Sequence, residues 1–143
     1  MKILVYEGIS GSGKSKLLSY TKELDNYKYI QIHRFTPTQW VYDRLYDRRN
    51  VDYEEFNNNL QSITEIFVIW CWCTPREALD RQMVKREEDK TEDLEKASLL
   101  YEKYFRDISV FKNILRVDTE NFSISECLIK IENFLEIGGR DGI

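Results

Sequence analysis

The nine residues EGISGSGKS, positions 7–15, set Gly8, Gly13, Lys14 and Ser15 at the spacing GxxxxGK[ST]. Each residue type in that pattern has a physical task. Glycines let backbone amides curl around phosphate oxygens, a lysine ammonium neutralises the β- and γ-oxygens, and a hydroxyl holds Mg²⁺. A helix starting there adds the positive end of its dipole. Gly8, Ser10, Gly11, Ser12, Gly13, Lys14, Ser15 and Lys16 therefore read as a cradle for ATP phosphates, with Ser15 as the Mg²⁺ ligand. The competing reading is an ordinary Gly/Ser turn, and the flanking elements separate the two.

The motif requires a strand before it and a helix after it. KILVYE (2–7) is an apolar run, and KSKLLSYTKEL (14–24) carries Leu17, Leu18 and Leu24 at helical spacing, so both requirements are met. KYIQIHRF (28–35) is β-rich and follows the turn-like pair Asp25 and Asn26. ThrProThr (36–38) stops that strand and starts a helix, with Thr36 as its expected cap and TQWVYDRLYDRR as its body. DYEEFNNNLQS (52–62) reads as a helix entered through Asp52. EIFVIWCWC (65–73) is almost continuously apolar, as a central parallel strand must be when both faces are covered. PREALDRQMVKREED and TEDLEKASLLYEKYFRDI read as helices, entered at Pro75 and capped by Thr91. NILRVDT gives the last strand, and SISECLIKIENFLEI a capped helix with Ile124, Leu128, Ile131 and Leu135 on its apolar side. Strands alternating with helices imply right-handed βαβ crossovers, hence a three-layer α/β/α sandwich around about four parallel strands. One domain is expected over residues 1–137, with a flexible tail at 138–143.

Composition narrows the partners. The formal charge of −4, from 21 basic and 25 acidic residues, offers no global positive field for duplex nucleic acid. No apolar run approaches a membrane span, and the start is too short in apolar residues for a signal peptide, so a cytoplasmic protein is expected. The cysteines Cys71, Cys73 and Cys127 are odd in number and suit buried thiols in a reducing compartment. Cys71 and Cys73 are expected on one side of a strand as small hydrophobes rather than as zinc ligands, since His33 is the sole histidine.

EGISGSGKS together with IHRFTPTQWVYDRLYDRR resembles the thymidylate kinase and deoxynucleoside kinase group. That group carries a Glu-Gly phosphate loop and, ending a later strand, an Asp-Arg-aromatic segment. Arg34, Phe35, Thr38 and Tyr42 fall on the positions of the arginine, the aromatic, a hydroxyl residue and a tyrosine. TPREALDRQMVKREE looks like the group's arginine-bearing lid, and LRVDTENFSISECLIKIENFLE like its last strand, adenine-side loop and closing helix. The resemblance covers most of the chain and implies a P-loop NTPase fold with strand order 2-1-3-4. It implies catalytic work for Lys14, Arg34, Arg81 and Arg86, the last two closing over the transferring phosphoryl group.

Two departures bear on chemistry. The group's aspartate before the arginine is His33, whose neutral imidazole accepts a hydrogen bond but brings no negative charge; its alternatives are a part in catalysis or filling a strand end. The group also has a further strand and two helices ahead of the Arg34 strand, where much of its acceptor pocket is built, and here only DNYK stands there. A replacement must come from residues 35–60, with Phe35, Thr38, Gln39 and Tyr42 contacting the acceptor and Arg44 and Arg48 adding polar contacts, while Trp40 reads rather as core. The expected activity is ATP-dependent phosphoryl transfer to a nucleoside or nucleoside monophosphate. The alternatives are a non-catalytic nucleotide-binding module and a kinase of another acceptor, such as a polynucleotide end met by YDRLYDRR. Exposed aromatics allow a homodimer.

Overall fold

A computed structural model describes residues 2–24, 28–48, 51–85 and 93–138 of the chain. The apolar runs form four strands, β1 (Lys2–Glu7), β2 (Tyr29–His33), β3 (Ile66–Trp72) and β4 (Asn113–Asp118). Between and after them run α1 (Lys14–Leu24), α2 (Thr36–Leu45), α3 (Glu54–Gln61), α4 (Pro75–Lys85), α5 (Leu94–Lys103) and α6 (Ile124–Gly138). The strands pair in the order β2-β1-β3-β4, all parallel, as expected. The register sets Tyr6 opposite His33, and Glu7 opposite Trp70, so the C-terminal ends of β1, β2 and β3 lie at one edge of the sheet. Ligands in open α/β sheets bind at that edge, where the strand order reverses.

Two cores follow from the period-2 alternation of side chains. On one face Leu4, Tyr6, Phe67, Ile69 and Cys71 pack with Leu17 of α1 and Cys127 and Ile131 of α6. On the other, Val5, Ile66, Val68 and Trp70 pack with Trp40 and Val41 of α2 and Ala97 and Tyr101 of α5. β3 is the most buried strand, with its first six residues inaccessible or nearly so. Trp40 is core, packed on Tyr104, with the Arg44 guanidinium 3.7 Å from its ring centroid.

Several local expectations need correction. Thr36 does not cap α2: the N-cap is Phe35 without a side-chain bond, and the buried Thr36 hydroxyl donates to Asn57 Oδ1 at 2.8 Å, tying α2 to α3. α5 is capped by Asp93, whose carboxylate accepts from the Lys96 amide at 3.1 Å; Thr91 lies outside the described residues. Cys71 and Cys73 sit in opposite cores, because β3 ends at Trp72 and the alternation stops there. Burial pushes the Cys71 thiol up to about 12 and the Cys73 thiol up to about 11, so both are inert hydrophobes. α5 continues into a π-helical turn, Tyr104–Ile108, which the apolar pattern does not announce. α6 starts with a reciprocal box, the Ser123 amide donating to Glu126 and the Glu126 amide to Ser123 Oγ. It runs on to Gly138, and positions 139–143 of the expected tail lie outside the described residues.

Candidate nucleotide site

The phosphate loop joins β1 to α1. Gly8, Gly11 and Gly13 all have positive φ, at 141°, 83° and 97°. Space as well as backbone demands glycine at the first two. A Cβ on Gly8 would stand 2.3 Å from the Cys71 carbonyl oxygen, and one on Gly11 2.7 Å from that of Ala78. The loop is thus bent and pressed against β3 and α4. Lys14 opens α1 and is 4% exposed. Its Nζ donates back into the loop, to the Gly8 carbonyl at 2.7 Å, the Ile9 carbonyl at 2.6 Å and Ser12 Oγ at 3.3 Å.

A cleft of about 450 Å³ opens beside this loop, lined by Ser10, Gly11, Gly13, Lys14, Ser15 and Lys16. Gly8 and Ser12, expected in the cradle, are buried and do not line the cleft. His33 and Arg34 enter from the end of β2. His33 Nε2 lies 3.3 Å from Ser15 Oγ, and partial burial together with the Lys14 and Arg34 charges lowers its pKa, which keeps the imidazole neutral. Arg34 has a left-handed backbone, φ 67°, held by its amide donating to the Tyr6 carbonyl at 3.0 Å. Such a non-glycine conformation costs on the order of 1 kcal/mol and concentrates at functional sites. Its guanidinium lies 5.7 Å from the Tyr42 ring, and its buried Nε has no hydrogen-bond partner among the described residues.

Arg81, on α4, lines the cleft from the opposite side. Its guanidinium donates to the Gly11 carbonyl at 3.0 Å, Thr119 Oγ1 at 3.1 Å and the Thr119 carbonyl at 2.9 Å, and its Nε pairs with Glu77 at 3.2 Å. Thr119 in turn donates to the Ser12 carbonyl at 2.7 Å. These bonds tie the phosphate loop to α4 and to the segment after β4. Arg86 lies outside the described residues. Beyond Thr119, Phe122, Ile124, Cys127 and Leu17 form an apolar wall, with Lys130 Nζ 3.4 Å from the Phe122 ring centroid. Sequence reasoning placed the adenine-side loop in this segment without picking out those side chains. Among the described residues that line the cleft are Lys14, Lys16, Arg34 and Arg81, and no aspartate or glutamate. It is a cationic slot with one apolar wall, a shape and charge that suit a nucleotide.

The four expected acceptor residues are not brought into this cleft. Phe35 packs between Phe56 and Phe111, with ring centroids 6.1 and 6.5 Å away. Gln39 is exposed on α2, and Tyr42 packs on Tyr46 at 5.7 Å. Thr38 is 5% exposed, and its hydroxyl is engaged by Glu7 Oε1 at 2.5 Å and by the Tyr101 hydroxyl at 2.8 Å.

Glu7 is the residue that sequence reasoning passed over; the only signal was its place in the Glu-Gly start of the loop. It is fully buried at the end of β1. Its carboxyl accepts from the Phe35 amide at 2.6 Å and from Thr38. Burial pushes its pKa up to about 7, against the opposing pull of the Thr38 hydroxyl, the Phe35 amide and the Lys14 and Arg34 charges. A chain of hydroxyls, Tyr101 to Thr38 to Glu7, therefore ends on a carboxyl that burial holds protonated to higher pH than an exposed glutamate.

No protein-family model and no curated sequence matches the chain. Solved structures do. The YorR protein of Bacillus subtilis, in complex with phosphorylated GDP, superposes with a TM-score of 0.79 at 17% identity, covering 99% of this chain and 100% of that one. Deoxyadenosine kinase of M. mycoides with bound dATP gives a TM-score of 0.64 at 18% identity, over 95% of this chain and 100% of that one. The same kinase with dCMP and dCDP bound gives 0.61 at 14% identity, over 94% and 98%. Identities this low speak for architecture. The parallel sheet, its strand order and the loop between β1 and α1 are those of a P-loop nucleoside kinase-like fold.

Proposed function

We propose that the chain transfers a phosphoryl group from ATP to a nucleoside or nucleoside monophosphate. The supporting observation is the cleft in which a glycine-bent loop, a helix N-terminus and four cationic side chains converge, with no acidic side chain among the described lining residues. Phosphoryl transfer asks little covalent work of a protein; it needs reactants held in line and charge neutralised on the equatorial oxygens. Lys14 supplies that charge by exchanging the Gly8 and Ile9 carbonyls for β- and γ-oxygens. Arg34, with an Nε still to be satisfied, takes a donor or acceptor phosphate, and Arg81 holds the loop in shape beside the transferring group. Arg86 belongs to this reading as a further lid arginine. The apolar wall at Leu17, Phe122 and Ile124 accommodates the base. Mg²⁺ would help hold the phosphates, with the Ser15 hydroxyl as its ligand from the loop and no carboxylate among the described lining residues. The phosphorylated GDP, dATP, dCMP and dCDP bound by the neighbouring structures support a nucleotide here, of either base class.

A second reading, a nucleotide-binding module without transfer, draws on the placement of Phe35, Thr38, Gln39 and Tyr42 outside the cleft. One experiment separates them. The protein is melted with ATP and a divalent cation, then incubated with γ-labelled ATP and a panel of deoxynucleosides, their monophosphates and a 5′-hydroxyl oligonucleotide. Binding to the folded state alone raises the melting temperature by mass action. Stabilisation with label passed to a nucleoside or monophosphate supports the kinase. Label passed to the oligonucleotide alone moves the acceptor class to polynucleotide ends. Stabilisation without transfer supports the module, and no stabilisation refutes both.

A further inference from the structure

Ser15 Oγ and His33 Nε2 stand 3.3 Å apart in the phosphate cleft, one at the start of α1 and the other at the end of β2. Two neighbouring ligands of an octahedral ion at about 2.1 Å are about 3.0 Å apart, so the pair needs only a few tenths of an ångström to share one cation. Both side chains are exposed to the cleft. No carboxylate is among the described lining residues to take the place of the imidazole. Glu7, at the end of β1, is fully buried and committed to Phe35 and Thr38.

We propose that Ser15 and His33 together bind the nucleotide's cation, and that the site therefore prefers first-row transition ions, Mn²⁺ and Co²⁺, over Mg²⁺. Hydroxyl, phosphate and water oxygens suit either kind of ion. An imidazole nitrogen discriminates, because Mg²⁺ favours oxygen and gives up water reluctantly whereas the transition ions accept nitrogen readily. Lys14 and Arg34 face the same space, so a free divalent ion is repelled and the site is completed only when phosphates bring negative charge. The inference rests on the nucleotide-binding part of the proposed function and not on the identity of any acceptor.

The test uses the full chain with ADP, which allows no turnover. Dissociation constants for ADP are measured with Mg²⁺ and with Mn²⁺ on the wild type, His33→Ala and His33→Asp, and the Mn²⁺·ADP complexes are examined by pulsed electron paramagnetic resonance. The expected result is nitrogen modulation from a bound imidazole in the wild type and its loss in His33→Ala. The advantage of Mn²⁺ over Mg²⁺ should fall at least about tenfold in that variant, as the removal of a metal partner requires. His33→Asp should restore Mg²⁺ to near parity. Because Mn²⁺ binds ADP more tightly than Mg²⁺ in solution too, the change in the ratio between variants is the quantity that decides. ADP binding with no nitrogen modulation, and with the same ratio in wild type and His33→Ala, overturns the inference while leaving nucleotide binding intact. Failure of ADP to bind with either ion overturns the proposed function and this inference with it.

Discussion

Replacing Glu7 with glutamine preserves the shape of a fully buried side chain and removes its proton equilibrium. Burial raises this carboxyl from 4.5 to about 7. At 1.36 kcal/mol per unit, ionised Glu7 costs the folded state on the order of 3 kcal/mol. The folded value lies above the unfolded one, so the contribution of Glu7 is fully present below pH 4.5 and is lost as pH rises through about 7. The glutamine variant would carry no such loss. One oxygen still accepts from the Phe35 amide, and the Thr38 hydroxyl can turn to donate to Tyr101, so any fixed cost of the substitution is the same at every pH. Other titrating groups are common to both proteins and cancel in the difference. Urea unfolding at several pH values, extrapolated linearly to water, should show the stability of Glu7→Gln relative to wild type improving by about 3 kcal/mol between about pH 4, below the unfolded value, and about pH 8, above the folded one. A stability gap that does not move with pH would refute the reasoning, because it would mean that Glu7 does not titrate abnormally in the folded protein.

Lys14→Ala should abolish the rise in melting temperature caused by triphosphate; it should also lower unliganded stability by about 1–3 kcal/mol, since the Gly8 and Ile9 carbonyls lose a charged donor. Gly8→Ala should cost about 2–3 kcal/mol in urea unfolding, because φ 141° and a carbonyl 2.3 Å from the new methyl both oppose it. Arg81→Lys should weaken nucleotide binding nearly as much as Arg81→Ala in calorimetry, because one ammonium cannot span the Gly11 and Thr119 acceptors that the planar fork reaches together. Thr38→Val should destabilise by about 1–3 kcal/mol, read by thermal and chemical melting, since it leaves the Tyr101 hydroxyl and one Glu7 oxygen without their shared partner.

The sheet was legible because its signal is redundant. β3 reads as central from its apolar run alone, and the glycines with Lys14 and Ser15 mark the bent loop between β1 and α1. What was hidden depends on the third dimension. A glutamate ending a strand reads as solvated, and only the arrival of α2 over β1 shows that Glu7 is buried beneath Thr38. The Cys71 and Cys73 faces were misjudged because alternation holds only while the strand lasts, and it stops at Trp72. Phe35, Thr38 and Tyr42 carry a motif that the resemblance ties to an acceptor, yet the short path from α1 to β2 removes the elements that would open a pocket around them. Their side chains pack inward instead. Arg81 was found by its place after β3, but its bonds to Gly11 and Thr119 could not be foreseen from spacing.

The lysine folded back into its own loop makes ligand capture an exchange rather than an addition. Nζ must leave two carbonyl oxygens, at 2.7 and 2.6 Å, before it can meet a phosphate. A weak, singly charged anion offers one contact where two are surrendered, whereas a polyphosphate offers several and also engages the amides and arginines around it. The loop is therefore held in an already bent state by a built-in surrogate. The threshold for displacing the surrogate is set by how many anionic oxygens arrive together. On the proposed reading, the number of phosphates a ligand carries thus weighs on occupancy before any base or acceptor is read.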